Sequence, residues 1–271
     1  MVSGELRMVS FIIINLQSFK NFVSLFKLSD MLQFKYLRLI CFCLIASRLS
    51  PTADAQQPKD TIYTNKKATP GGTGKFYKGR EIAQIMSFEG ADWLERSTRP
   101  QEENTDLAIS KLPIKENSIV ADIGAGTGYY TFRIATKVPF GKVYAVEIQD
   151  DAIKYLKERA KKLKQNNVVV IKGGEQSPNL PDNSIDLAIM VDVYHELLYP
   201  HEMLQAIRRS LKADGKLLLI EYRAEDPKVE IKKLHKTSVA QVDKELTANG
   251  FHLVQDGEFM PIQHFLVYEK N

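Results

Sequence analysis

Cysteine is nearly absent from this 271-residue chain, and its placement excludes more than its scarcity does. Both cysteines, Cys41 and Cys43, lie in one apolar run near the front. Everything behind that run can therefore form no disulfide, no cysteine metal site and no thiol nucleophile. A strong charge of one sign is also lacking. The chain has 37 Lys+Arg against 33 Asp+Glu, and the first 55 residues hold six of the former and three of the latter, leaving a net charge of about +1 on the rest. A partner made of nucleic acid is not indicated, because phosphate binding needs a basic patch or stripe. There is no internal repeat, and no residue set reads as a metal site.

The front of the chain is more apolar than the rest, with "FIIINLQSFKNFVSLF" followed by "MLQFKYLRLICFCLIASRLSPTADAQQPKD". Counted from Met31, Lys35 and Arg38 form a basic segment, Leu39 to Ala46 an apolar core, and Ala53-Asp54-Ala55 a small-residue cleavage site before Gln56. These are the three parts of a secretory signal peptide over 31–55. Residues 1–30 then read as an upstream extension ahead of the true start. Cleavage after Ala55 implies export, to the periplasm. The alternative is a retained membrane anchor, although the apolar core is well short of the roughly 20 residues of a span.

Residues 56–75, "QQPKDTIYTNKKATPGGTGK", read as a flexible linker, and 76–113, with "GREIAQIM" and "EENTDLAISKL", as a helical cap. From Ile114 to the end the pattern is regular. "SIVADI", "KVYAVEI", "VVVIK", "SIDLAIMV" and "KLLLIEY" are short apolar runs that alternate with helical segments. In "DDAIKYLKERAKKLK", Ile153, Leu156, Ala160 and Leu163 form one stripe; in "HEMLQAIRRSLK", Leu204, Ile207 and Leu211 face inward. The fold class is α/β, with a mostly parallel sheet covered on both faces. "SVAQVDKELTANGF" is a helix begun at Ser238, and "FHLVQDG" and "HFLVYEK" follow as an antiparallel hairpin at the sheet edge.

"VADIGAGTGYY" follows the first strand. Its glycines, Gly124, Gly126 and Gly128, allow a ligand to approach the backbone closely. Glu147 ends the second strand, where a carboxylate can accept both hydroxyls of a ribose. Both NAD and S-adenosylmethionine fit that pair. A dinucleotide fingerprint, however, needs a small residue where this chain has Tyr129. Asp122 also suits a cationic ligand better than a diphosphate.

"VADIGAGTGYYTFRIA", "VYAVEI", "LPDNSIDLAIMVDVYHEL" and "AIRRSLKADGKLLLIEYR" together resemble a class I S-adenosylmethionine-dependent methyltransferase over about 114–270. "WLERSTRPQEE", "EYRAEDP", "IKKLHK" and "QHFLVYEK" resemble a bacterial branch of that family often preceded by an export signal. The resemblance implies a Rossmann-like seven-stranded sheet with a terminal hairpin. It also implies S-adenosylmethionine as cofactor, with Asp122, Gly124, Gly126 and Gly128 at its methionine part and Glu147 at its ribose. Where an acid usually meets the adenine, this chain has Gly173-Gly174-Glu175, so Glu175 or a backbone group takes that contact.

The resemblance places the reacting centre at "VDVYHEL". His195 can take a proton near neutral pH, or can simply pack over the adenosine. Asp192 and Tyr194 can bind the acceptor or the sulfonium, and Glu196 can orient the histidine. Arg223, His235 and His264 are weaker candidates for an anionic substrate, and Trp93, Arg96 and Arg99 for covering the cofactor. With no thiol nucleophile behind the apolar run, and no Asp/Asn-Pro-Pro-Tyr motif, a small-molecule acceptor is the expectation. The rival functions are a non-catalytic nucleoside-binding protein and an NAD-dependent oxidoreductase.

Overall fold

Where a flexible linker is expected, the chain forms strands. The computed structural model describes residues 62–271; the signal segment, its cleavage site and the upstream extension lie outside the described residues. β1 (Tyr63–Asn65), β2 (Gly72–Tyr77) and β3 (Arg80–Ala83) form a three-stranded antiparallel sheet in that order. Lys78 and Gly79, both at positive φ (48° and 101°), make the two-residue turn between β2 and β3. The buried Glu81 carboxylate accepts from the Thr69 and Gly74 amides, both at 3.0 Å, and from Thr69 Oγ1 at 2.6 Å. A Cβ on Gly72 would lie 2.1 Å from Glu81 Oε1, so a side chain there would displace that carboxylate from its present position.

The expected all-helical cap is thus corrected: "GREIAQIM" contributes a strand. The four-residue strand it forms, Arg80–Ala83, is too short for its apolar pattern to separate the two periods. The helices that follow are brief: α1 (Ala91–Leu94), α2 (Arg99–Glu103) and α3 (Thr105–Ser110).

The main sheet alternates as expected: β4 (Ile119–Ile123), α4 (Tyr129–Ala135), β5 (Lys142–Glu147), α5 (Asp150–Leu163), β6 (Val168–Lys172), β7 (Ile185–Val191), α6 (Pro200–Ser210) and β8 (Leu211–Arg223). β9 (Lys236–Thr237), α7 (Val239–Thr247), β10 (Phe251–Asp256) and β11 (Gln263–Lys270) complete it. The spatial order is β10-β11-β8-β7-β4-β5-β6, with β9 paired on β8. β8, β7, β4, β5 and β6 are parallel, and β11 and β10 run against them. This is the Rossmann-like mixed sheet with its antiparallel hairpin.

Each face of the sheet carries its own core. Ala108, Ile109, Tyr129, Phe132 and Leu156 pack over one face, and Met203, Leu204, Ile207, Val242 and Leu246 over the other. Burying each large aliphatic side chain stabilises the fold by about 1.5–3 kcal/mol. The stripe on α5 is shorter than expected: Ile153 and Leu156 are buried, whereas Leu163 is 47% exposed on the last turn. The Ser238 side chain caps α7 by accepting from the Gln241 amide at 3.2 Å. Among the described residues no helix is long and apolar enough to cross a membrane.

Candidate active site

β4 lies between β5 and β7, so the turn that leaves it opens at the carboxyl end of the sheet, in the middle. Gly124, Gly126 and Gly128 all have positive φ, at 74°, 54° and 80°. A Cβ on Gly124 would lie 2.6 Å from Val193 Cγ2, and one on Gly128 2.4 Å from the Phe132 ring. The glycines are therefore required by both conformation and space. The Gly124 and Ala125 amides donate to the Val146 carbonyl at 2.9 and 3.1 Å, which fastens the turn to β5.

Glu147 stands beside this turn, buried. Its Oε2 accepts from the Gly126 amide at 3.0 Å, and its Oε1 from the Ile148 and Gln149 amides at 2.6 and 2.9 Å. These bonds take three of its roughly four lone-pair sites. Asp122 lies beneath the turn and accepts from Thr131 Oγ1 at 2.5 Å. Burial raises its carboxyl to about 6, against the bonds from Thr131 and with the repulsion of Glu147. Glu175 is exposed in the loop after β6, with no hydrogen bond to the turn among the described residues.

The second half of the site is assembled from separate segments. After β7, Asp192 adopts positive φ (55°) and donates its amide to the Ile220 carbonyl at 2.8 Å, turning the chain into a 3-10 turn, Tyr194–Glu196. Glu221, on β8 and fully buried, accepts from the Val193 and Tyr194 amides at 3.1 and 2.8 Å through Oε1. Its Oε2 lies 2.6 Å from His195 Nδ1. His195 Nε2 lies 3.0 Å from Nδ1 of His235, which the loop before β9 supplies. Glu196 Oε1 approaches the same two nitrogens, at 3.8 and 3.5 Å. Burial works against a charged His195, but attraction and hydrogen bonding from Glu221, with Glu196 and Asp192 behind them, outweigh it and raise its pKa.

These contacts revise several expected roles. Glu221 orients His195; Glu196 faces the outer nitrogen instead. Tyr194 points into the core, its hydroxyl donating to Glu245 at 2.7 Å beneath the Arg80 guanidinium, so it is not available to an acceptor. Asp192 accepts both bonds of Gln263 Nε2, at 3.0 and 2.9 Å, with Arg99 3.9 Å away. Burial, followed by repulsion from Glu103 and Glu221, pushes its carboxyl well up. His235 joins the site. Arg223 pairs with Glu258 and His264 with Glu225, away from it. Glu221 was visible in the sequence only as an acid inside "KLLLIEY", where an unpaired carboxylate would be costly.

The segment from Met86 to Leu94 runs across this end of the sheet. The Phe88 amide and Met86 carbonyl bond to the two ends of the Gln149 amide at 2.9 and 3.0 Å, and the Met86 amide donates to Glu196 at 3.2 Å. Leu94 Cδ1 would lie 2.9 Å from a Cβ on Gly126. Arg96 and Arg99 converge on the buried Glu103, which also accepts from the Tyr222 hydroxyl at 2.8 Å. Trp93 is 47% exposed, with the Arg96 guanidinium over its ring at 3.8 Å.

A family model described as a methyltransferase domain matches residues 114–265. A "Probable cobalt-precorrin-6B C(15)-methyltransferase (decarboxylating)" from Sulfurisphaera tokodaii is 32% identical over 128 residues, which is 46% of this chain and 65% of that protein. The chain thus spans less than two thirds of that relative's length. A fibrillarin-like rRNA/tRNA 2'-O-methyltransferase from Methanosarcina mazei is 27% identical over 186 residues, 66% of this chain and 78% of that protein. Among solved structures, a SAM dependent methyltransferase from Aquifex aeolicus superposes with a TM-score of 0.64 at 25% identity, over 68% of this chain and 98% of that one.

Proposed function

Because the chain belongs to the methyltransferase-domain family, we propose that it binds S-adenosylmethionine at the glycine turn and passes the methyl group directly to a small-molecule acceptor. The observation that carries this reading is the turn itself. Three glycines at positive φ form a cradle that any Cβ would fill, with Asp122 below it and Glu147 beside it. When bound, the cofactor supplies an electrophilic methyl on a cationic sulfonium.

The chain's own residues then position the reactants, a contribution worth roughly 7–11 kcal/mol of barrier when both are held in line. Gly124, Gly126 and Gly128 give the methionine part access to the backbone. Glu147 offers its remaining lone pair to the ribose, and the loop at Glu175 borders the adenine. The Gly124–Val193 contact sets the turn against the segment that carries His195, and we assign His195 to the acceptor end of the reaction. The relatives named above act on different acceptors, and the near-neutral charge balance of the chain favours a small molecule over RNA. In the same proposal the chain is exported through residues 31–55, which a secreted product beginning at Gln56 would support.

Calorimetry on the full chain tests the cofactor assignment. We expect S-adenosylmethionine to bind with a stoichiometry of one, NAD to give no heat, and Gly126→Arg to abolish the signal. Binding of NAD alone, or S-adenosylmethionine binding undiminished in Gly126→Arg, would remove the reading.

A further inference from the structure

We propose that His195, His235 and Glu196 form a site for one divalent first-row transition metal ion, with Glu221 as its positioning residue. The three ligand atoms are His195 Nε2, His235 Nδ1 and Glu196 Oε1. They are 3.0, 3.5 and 3.8 Å apart. Nitrogen and oxygen ligands held about 2.0–2.2 Å from one ion lie roughly 3–3.6 Å from one another, so two of the separations need no change and the third a few tenths of an ångström.

Glu221 supplies what a bare cluster of donors lacks. Its Oε2, 2.6 Å from His195 Nδ1, holds the proton on that inner nitrogen, so that the neutral ring presents its lone pair at the outer one. Two backbone amides fix the carboxylate in turn, at 3.1 and 2.8 Å through Oε1. A carboxylate bound to the far nitrogen of a histidine is the usual outer support of a metal ligand. Without an ion, two imidazole nitrogens face each other at 3.0 Å, and one of them must carry a proton toward the other. An ion satisfies both lone pairs at once.

His195 is buried, whereas the side chains of His235 and Glu196 are 24% and 12% exposed, so the group borders on solvent through these two ligands. Two imidazoles and one carboxylate suit Zn²⁺, Co²⁺ or Fe²⁺, and not Mg²⁺ or Ca²⁺, which take oxygen ligands. A bound ion occupies the outer nitrogen of His195, so the histidine serves methyl transfer as a ligand and not as a free base. Only this consequence rests on the methyltransferase reading.

The test uses the full chain, free of any affinity tag and stripped with a chelator, titrated with Co²⁺ in the absence of S-adenosylmethionine. One equivalent should bind with visible ligand-field absorption, resist excess Mg²⁺ and be displaced by one equivalent of Zn²⁺. His235→Ala and Glu196→Gln should each abolish that absorption, with circular dichroism confirming the fold. Glu221→Gln should keep the stoichiometry and weaken binding roughly 10–100-fold. Absence of saturable Co²⁺ binding, or binding undiminished in both ligand variants, would overturn the site. Because no cofactor is present, either result leaves the S-adenosylmethionine assignment to its own calorimetry.

Discussion

The glycine turn and the histidine pair lie at the same end of the sheet but are built in opposite ways. The turn is local: residues 120–130 carry the strand end, three left-handed glycines and the start of α4. The pair is assembled. His195, Glu221 and His235 come from three segments, and Arg80 supports them from a fourth by donating to the His195 carbonyl at 3.1 Å and pairing with Glu245. Backbone conformation defines the first element and long-range packing the second. Damage to packing should therefore reach the pair before it reaches the turn.

The largest effect is expected at Arg80. It makes two 2.8 Å bonds to the fully buried Glu245, and removing one member of such a pair costs about 3–5 kcal/mol. Arg80→Met should lower the urea midpoint accordingly. The folded fraction should still bind S-adenosylmethionine, since among the described residues the hydrogen bonds of the Arg80 guanidinium go to Glu245 and the His195 carbonyl and none to the turn. Loss of cofactor binding in folded Arg80→Met protein would break the distinction between the two elements.

Gly128→Ala attacks the local element in the same assay. At φ 80°, with the Phe132 ring 2.4 Å from the new Cβ, it should cost roughly 2–4 kcal/mol, from overpacking and backbone strain together. Cofactor affinity should fall with it while the His195 environment, read by its ring NMR signals, is retained.

Tyr194→Phe sharpens the contrast within one 3-10 turn. The hydroxyl bonds Glu245, which keeps Arg80 and Gln241 as partners, so the loss should be about 1–2 kcal/mol with turnover unchanged. His195→Ala should do the reverse and reduce turnover by at least about tenfold, through lost placement of the acceptor. Equal loss of turnover in both variants would return Tyr194 to the acceptor site.

The last effect is a pH slope. Asp122 has its carboxyl raised to about 6 in the folded chain, from an ordinary value of 3.8. Between those values the folded state holds a proton that the unfolded state has released. Stability should therefore be higher near pH 4 and fall as pH rises through 6. Asp122→Asn should flatten that slope in thermal melts and raise the melting temperature at pH 7.5. An unchanged slope would assign the dependence to another group.

Much of the fold was legible because its signals are local. The β-branched runs before Gly124 and Gly173, the stop at Asn249-Gly250 and the Ser238 cap each act within a few residues, and the strands and helices form there. The front was not legible. β2 and β3 are joined by Lys78-Gly79, an unusual hairpin pair, and the Glu81 carboxylate that ties them meets Thr69 and Gly74 only after folding.

By itself the sequence determined the alternating sheet, the place of the glycine turn and the identity of Glu147 beside it. Each follows from residue type acting on neighbouring backbone, through β-branching, helical period and left-handed φ. Tertiary structure alone decided that Tyr194 faces the core while His195 faces the site, that Glu221 orients the histidine, and that His235, 40 residues away, closes on it. A buried carboxylate or imidazole takes its role from the partners that compensate its desolvation, and those partners are brought together only when separate strands pair.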